Sequence, residues 1–240
     1  MAKNKYKRVL LKLSGESFCK PGAFGIDGAA LESIAGRISQ ICKLDLQVAV
    51  VVGAGNFLRG EAFSKVTHIP RNTADYMGML ATIINACALQ ETLEKLGQST
   101  RVLSAIEVAA MCEPFIRRRA LHHLELGRVA ILAGGTGNPF FTTDTCAALR
   151  ASELNADLLI KATNVEGVYS ADPKENPDAQ LFERLPYDEV LTRNLKIIDH
   201  SAVSLCRDNN IPIIVLNIFE KGNITKAICG EQVGTLIHSS

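Results

Sequence analysis

Four short segments gather the residues best suited to handling phosphate: KLSGES (12–17), GAGNFLRG (53–60), AGGTGNPFFTTDT (133–145) and KATNVEG (161–167). Each combines glycine with hydroxyl or amide side chains. Glycine exposes backbone N–H groups, and a helix N-terminus turns such groups toward an anion. A lone glycine at a strand end is as often a simple turn residue. Four such segments at one sheet edge favour a phosphate-binding edge. Three charged residues lie among them. Lys12 interrupts an apolar run, a costly position unless the ammonium is paired or reaches a ligand. Arg59 follows a glycine turn, and its planar fork matches phosphate oxygens. Asp144 follows two threonines at a helix start, where it either caps the helix or orients Lys12. Asp172, in SADP, reads first as a turn former.

The familiar phosphate signatures are missing. No G-x-x-x-x-G-K-[ST] occurs. GAGNFLRG lacks the third glycine of the dinucleotide fingerprint, and no acidic residue follows where a ribose would need one. There is no G-x-S-x-G elbow, and five scattered histidines suggest no triad. His122 and His123 are adjacent on an expected helix, share no face, and read as surface residues. Cys112 with these histidines does not give a zinc spacing. RRR at 117–119 reads as a solvated helix face.

These residues need elements to hold them. Short apolar β-branched runs alternate with amphipathic stretches. Strands are expected at KRVLLKLSG, QVAVVVGAGN, TRVLSA, RVAILAGG, DLLIKATN, NIPIIVLNI and GTLIHS. Helices are expected at DGAALESIAGRISQICKL, with Leu31, Ile34, Ile38 and Ile41 on its buried face, and at ADYMGMLATIINACALQETLEKLG, with Met77, Leu80, Ile84 and Cys87 on one face. Others follow at PFIRRRALHHLELG, TDTCAALRASELNA and DHSAVSLCRDNN. Residues 165–190 read as a loop, with room for a hairpin. RVAILAGG and DLLIKATN are expected to be neighbours in one continuous sheet. The fold class is therefore α/β: a three-layer α/β/α sandwich around a mostly parallel sheet of about eight strands. Ligands of such a sheet bind beyond the carboxyl ends of its strands.

The 240 residues carry a net charge of +1, which argues against a nucleic-acid binder. Seven dispersed cysteines, with no C-x-x-C, read as reduced thiols in a cytoplasmic protein. No stretch approaches a membrane span, and no signal peptide is expected.

KLSGE, MGMLAT, TGNPFFTTD and KATNVEGVYSADP, in this order, resemble segments of the amino acid kinase superfamily, and within it the bacterial UMP kinases. The resemblance runs from about Tyr6 to about His238. It implies a single amino acid kinase domain over 1–240, with an acceptor half at about 1–150 and an ATP half at about 151–240. It implies phosphoryl transfer from ATP to UMP in pyrimidine nucleotide biosynthesis, with Mg2+ held through the ATP phosphates and by no direct protein ligand. Carried over by motif, Lys12, Arg59 and Asp144 are the catalytic set. Lys12, Leu13, Ser14, Gly15, Gly55, Arg59, Thr163, Asn164, Tyr169 and Asp172 contact ATP. Gly53, Ala54 and Asp75 border UMP, while Thr136, Gly137, Asn138, Pro139, Phe140, Phe141, Thr142 and Thr143 wrap it. Lys161 is a further candidate. The family has glycine where Ala54 stands, and an alanine still offers its backbone N–H. The resemblance also implies an effector turn for GTP or UTP at Lys20, Pro21, Gly22, Ala23, Phe24 and Gly25, and a homohexamer. Two alternatives stay open: a superfamily member that phosphorylates a carboxylate or carbamate, and a non-catalytic nucleotide sensor.

Overall fold

Strand and helix order follow directly from where the apolar runs meet their caps. The computed structural model describes residues 4–239 except positions 174, 177 and 196. The chain runs β1 (Arg8–Leu13), α1 (Gly28–Cys42), β2 (Gln47–Val52), α2 (Gly60–Val66), α3 (Arg71–Lys95), β3 (Thr100–Ser104), β4 (Glu113–Pro114), α4 (Arg117–Glu125) and β5 (Val129–Ala133). It continues with α5 (Thr143–Glu153), β6 (Leu158–Thr163), β7 (Arg184–Pro186), α6 (Tyr187–Thr192), α7 (His200–Asp208), β8 (Ile213–Asn217), α8 (Asn223–Cys229) and β9 (Thr235–His238). A single 3-10 turn, Gly15–Phe18, follows β1.

The strands form one nine-stranded sheet in the order β4-β3-β5-β2-β1-β6-β8-β9-β7. Every pairing is parallel except β8 with β9. The expected sheet of about eight strands thus gains one; β4 and β7 are only two and three residues long, too short to show a period. RVAILAGG and DLLIKATN, expected as neighbours, are not adjacent: β2 and β1 lie between β5 and β6. Strands apolar on both faces carry no mark of which neighbour they take.

β1 is the centre of the sheet, and its alternation divides the core. Val9, Leu11 and Leu13 pack with Ile34 and Ile38 of α1, Leu89 of α3 and Ile228 of α8. Leu10, on the other face, packs with Leu124 of α4, Ala147 and Ala151 of α5, and Val203 of α7. Lys12 shares the face of Leu10 by strand period, so it points toward the layer that holds α5.

Helix α3 turns the other way from the expectation. Met77, Leu80 and Ile84 are 37%, 50% and 52% exposed, while Met79, Ile83, Ala86, Leu89 and Leu93 face the sheet. The helix carries apolar residues on both sides, and only the sheet decides which side is covered. His123, read as a surface residue, is buried instead: its ring nitrogens lie 3.3 Å from the Glu113 carboxylate and 3.1 Å from Arg128 Nη1. His122 is exposed as expected. The loop after β6 closes like a hairpin through one antiparallel bridge between Tyr169 and Leu181; its positions 174 and 177 lie outside the described residues. No helix among the described residues is long and apolar enough to cross a membrane.

Candidate functional site

Two glycine loops meet at the carboxyl ends of β1 and β2. A Cβ on Gly15 would fall 2.2 Å from Gly55 N and 2.7 Å from Ala54 C, and one on Gly53 would fall 2.8 Å from Gly15 N. Neither glycine has a positive φ, so what each position requires is space for a second backbone rather than conformational freedom. Behind the contact, Asn56 and Asn85 form a buried pair of reciprocal amide hydrogen bonds at 3.0 and 2.8 Å. Asn85 also donates to Gly53 O at 2.8 Å, and Asn56 to Gly25 O at 2.8 Å. The phosphate-type loop is therefore tied both to α3 and to the turn at 20–25. Gly15→Ala is expected to destabilise the fold by about 1–3 kcal/mol, the cost of overpacking against fixed backbone, read as a lower urea midpoint at unchanged m-value.

Lys12 and Lys161 are register partners on the adjacent parallel strands β1 and β6, so their side chains stand side by side on one face. Asp144, in the first turn of α5, lies between them. Its Oδ1 is 2.7 Å from Lys12 Nζ, and its Oδ2 accepts a hydrogen bond from Lys161 Nζ, which also donates to Ile197 O. The side chains of all three are 10–13% exposed. Burial on its own raises the Asp144 pKa, but the charges and hydrogen bonds of the two lysines outweigh it, and the carboxyl is held below its ordinary value. Burial pulls the Lys161 pKa below that of an ordinary lysine; Asp144 opposes the fall and Lys12 adds to it. One carboxylate thus serves two ammonium groups. A buried cluster of this sign is suited to an anion carrying several oxygens.

Asp144 is not the helix cap. Thr142 caps α5, its Oγ1 accepting from Asp144 N at 3.0 Å and Thr145 N at 3.3 Å. That leaves both carboxylate oxygens of Asp144 to the lysines. Asp199, which sequence reasoning missed, supports this turn from outside. It caps α7 through Ala202 N at 2.7 Å, accepts from Thr145 Oγ1 at 2.8 Å, and also takes the Thr142 hydroxyl hydrogen bond. Its N-cap role was readable from the residues before α7. Its partners on α5 were not, since 54 residues separate it from Thr145.

Above the lysines runs a groove of about 1560 Å³. It gathers Lys12, Ser14, Gly15, Gly53, Ala54, Gly55, Arg59, Asp75, Thr136, Phe141, Thr142, Thr143, Lys161, Thr163 and Asn164 along its walls. Lys20, Pro21, Gly22 and Ala23 close one side of it. Leu13 is fully buried, so only its backbone is available. Gly137, Asn138, Pro139 and Phe140 stand behind the lining, as do Phe24 and Gly25. Tyr169 and Asp172 also lie outside it: the Tyr169 hydroxyl bonds Glu166 at 3.1 Å, and Asp172 O accepts from Asn176 N at 2.8 Å in a turn. Phe219, which no motif marked, joins the lining beside Thr163 and Asn164.

Arg59 stands at the N-terminus of α2 with its side chain 67% exposed, paired with Glu16 across the groove mouth. An exposed pair is worth at most about 1 kcal/mol, so a ligand anion can draw the guanidinium away at little cost. Asp75, on α3, is buried against the other end of the groove, where its Oδ2 accepts the Phe140 N–H at 2.8 Å. Among the described residues no group of three or more His, Cys, Asp or Glu side chains could hold a metal ion.

Comparison with known proteins agrees with this geometry. Residues 7–217 match the model of the amino acid kinase family. The chain is similar to the crystal structure of UMP kinase from Bacillus anthracis, with 40% identity, a TM-score of 0.94, and 98% of this chain and 97% of that one covered. It is similar to UMP kinase from Ureaplasma parvum at 36% identity and a TM-score of 0.90, covering 98% and 100% of the two chains. Uridylate kinase from Archaeoglobus fulgidus matches at 31% identity and a TM-score of 0.73, over 95% and 99%.

Proposed function

The chain belongs to the amino acid kinase family, and from that premise we propose that it transfers the γ-phosphoryl group of ATP to UMP, giving ADP and UDP. The observation that carries this reading is the pair of lysines sharing one aspartate beneath glycine loops at the centre of the sheet. A UMP phosphate oxygen attacks the γ-phosphorus, the bond from that phosphorus to the β–γ bridging oxygen breaks, and ADP leaves with the electron pair. The UMP phosphate is already ionised at neutral pH, so no strong base is required. Catalysis is positioning and neutralisation of charge.

In this reading Lys12 and Lys161 meet the transferring group from below, and Arg59 meets it from the groove mouth after leaving Glu16. Asp144 keeps the two ammonium groups at one height and does not itself move a proton. The backbone of Ser14–Gly15 and Gly53–Gly55 supplies N–H groups to the phosphates. The ATP half is the side of Thr163 and Asn164, with Tyr169 and Asp172 at its outer rim; the UMP half is the side of Asp75 and Thr136–Thr143. Both oxygens of Asp144 face lysines, so Mg2+ belongs to the nucleotide phosphates here, where it supplies further charge neutralisation. The turn at Lys20–Gly25 is the effector candidate for GTP or UTP, and Gly25 links it to the phosphate loop through Asn56. The proposal extends to a cytoplasmic homohexamer in pyrimidine nucleotide biosynthesis; the exposed Met77, Leu80 and Ile84 on α3 support self-association.

The reading is tested by coupled ADP release with ATP, Mg2+ and a panel of acceptors: UMP, CMP and a set of amino acids. Turnover with UMP and none with amino acids is expected. Turnover only with a carboxylate acceptor would move the chain to another branch of the family, and none with any acceptor would favour a sensor.

A further inference from the structure

Arg71 occupies a position that helix stability does not explain. It is the first residue of α3, where a positive charge opposes the helix dipole. Its Nε lies 2.9 Å from both oxygens of Asp75, its Nη1 3.7 Å from Glu61 Oε2, and its guanidinium carbon 5.8 Å from the centre of the Phe140 ring. Phe140 has φ +70°, in the left-handed region that a bulky aromatic side chain rarely enters. The hydrogen bond that holds it there is the one from its own N–H to Asp75 Oδ2. Asp75 itself has little freedom, because Gly60 packs so closely that a Cβ there would fall 2.2 Å from Asp75 Oδ1.

We propose that Arg71 is a positioning residue for the acceptor: it clamps the Asp75 carboxylate, Asp75 holds Phe140 in its left-handed conformation, and that conformation shapes the acceptor end of the groove. The mechanical sequence is short. Phe140 precedes Phe141, which lines the groove, and Thr142, which caps α5 and so sets the turn bearing Asp144. Strain at one residue is thereby held by a carboxylate that would otherwise be free to turn. The inference rests on the reading of that end of the groove as the UMP side.

The test combines amide hydrogen exchange by NMR with steady-state kinetics. In Arg71→Ala, exchange of the Phe140 amide is expected to speed up by about tenfold or more and the KM for UMP to rise about tenfold, with kcat and the KM for ATP within about twofold of the original. Arg71→Lys keeps the charge but lacks the Nε–H that spans both oxygens, so it is expected to follow the alanine variant in exchange. In a Phe140→Gly background, where positive φ carries no strain, Arg71→Ala is expected to add less than about threefold to the KM for UMP. Three results would overturn the proposal: Phe140 exchange unchanged in Arg71→Ala, a raised KM without faster exchange (a direct contact with the acceptor), or the full KM effect persisting with glycine at 140. Exchange needs no substrate. If the original protein failed to turn over UMP, the functional reading would fall while the exchange arm still decided the clamp.

Discussion

Lys12→Ala is expected to lower kcat by roughly two to three orders of magnitude, the scale seen when one preorganised donor is removed from a developing charge. KM for UMP should change far less, because the contact strengthens as the phosphoryl group moves. The variant should still fold. Lys161 and Asp144 remain as a one-to-one buried pair, so no charge is orphaned. Single-turnover measurement at saturating ATP and UMP checks the prediction, with thermal unfolding as the control. A kcat within a few-fold of the original would remove Lys12 from the reaction. Arg59→Ala should also lower turnover with little effect on stability, since its partner Glu16 is half-exposed and stays hydrated.

Asp144→Asn should act on stability as well as rate. It leaves two buried ammonium groups side by side with no shared carboxylate, and breaking a buried ion pair from one side costs about 3–5 kcal/mol. For a chain of this length each kcal/mol is about 2–4 °C in Tm. The pH dependence has a definite sign. Asp144 has a folded pKa below its unfolded one, so its contribution is present at neutral pH and lost as pH falls through the folded value. Lys161 has a folded pKa below its unfolded one, so the folded state disfavours its charge, and stability recovers as pH rises through that folded value. Removing Asp144 takes away the group that holds the Lys161 pKa up. The variant should therefore gain more Tm between neutral and mildly alkaline pH than the original protein. A Tm difference that stays flat across that interval would show that Asp144 does not support Lys161.

Much of this was readable from local pattern. The strand periods located β1, β2, β3, β5, β6, β8 and β9, because apolar β-branched runs ending in small residues have few other uses. The glycines at 15 and 53 marked a close approach, and Lys12 stood out because an isolated cation in an apolar strand requires a partner. Other elements left too little signal. β4, β7, α6 and α8 are short, and their apolar residues are too few to set a period. His123 looked exposed because the carboxylate that buries it, Glu113, arrives on a two-residue strand.

The sequence by itself determined the α/β class, the glycine loops and the types of charge available to the site. Local residue choice controls strand period, turn and cap, and those are short-range matters. The tertiary structure decided the partners. That β1 pairs with β6, in the register that sets Lys12 beside Lys161, follows from a sheet order which strands apolar on both faces do not encode locally. That Asp144 serves two lysines instead of capping its helix, that Asp199 braces its turn, and that Arg71 reaches Phe140 through Asp75 are contacts between elements. They exist only once the sheet has closed and buried their charges together.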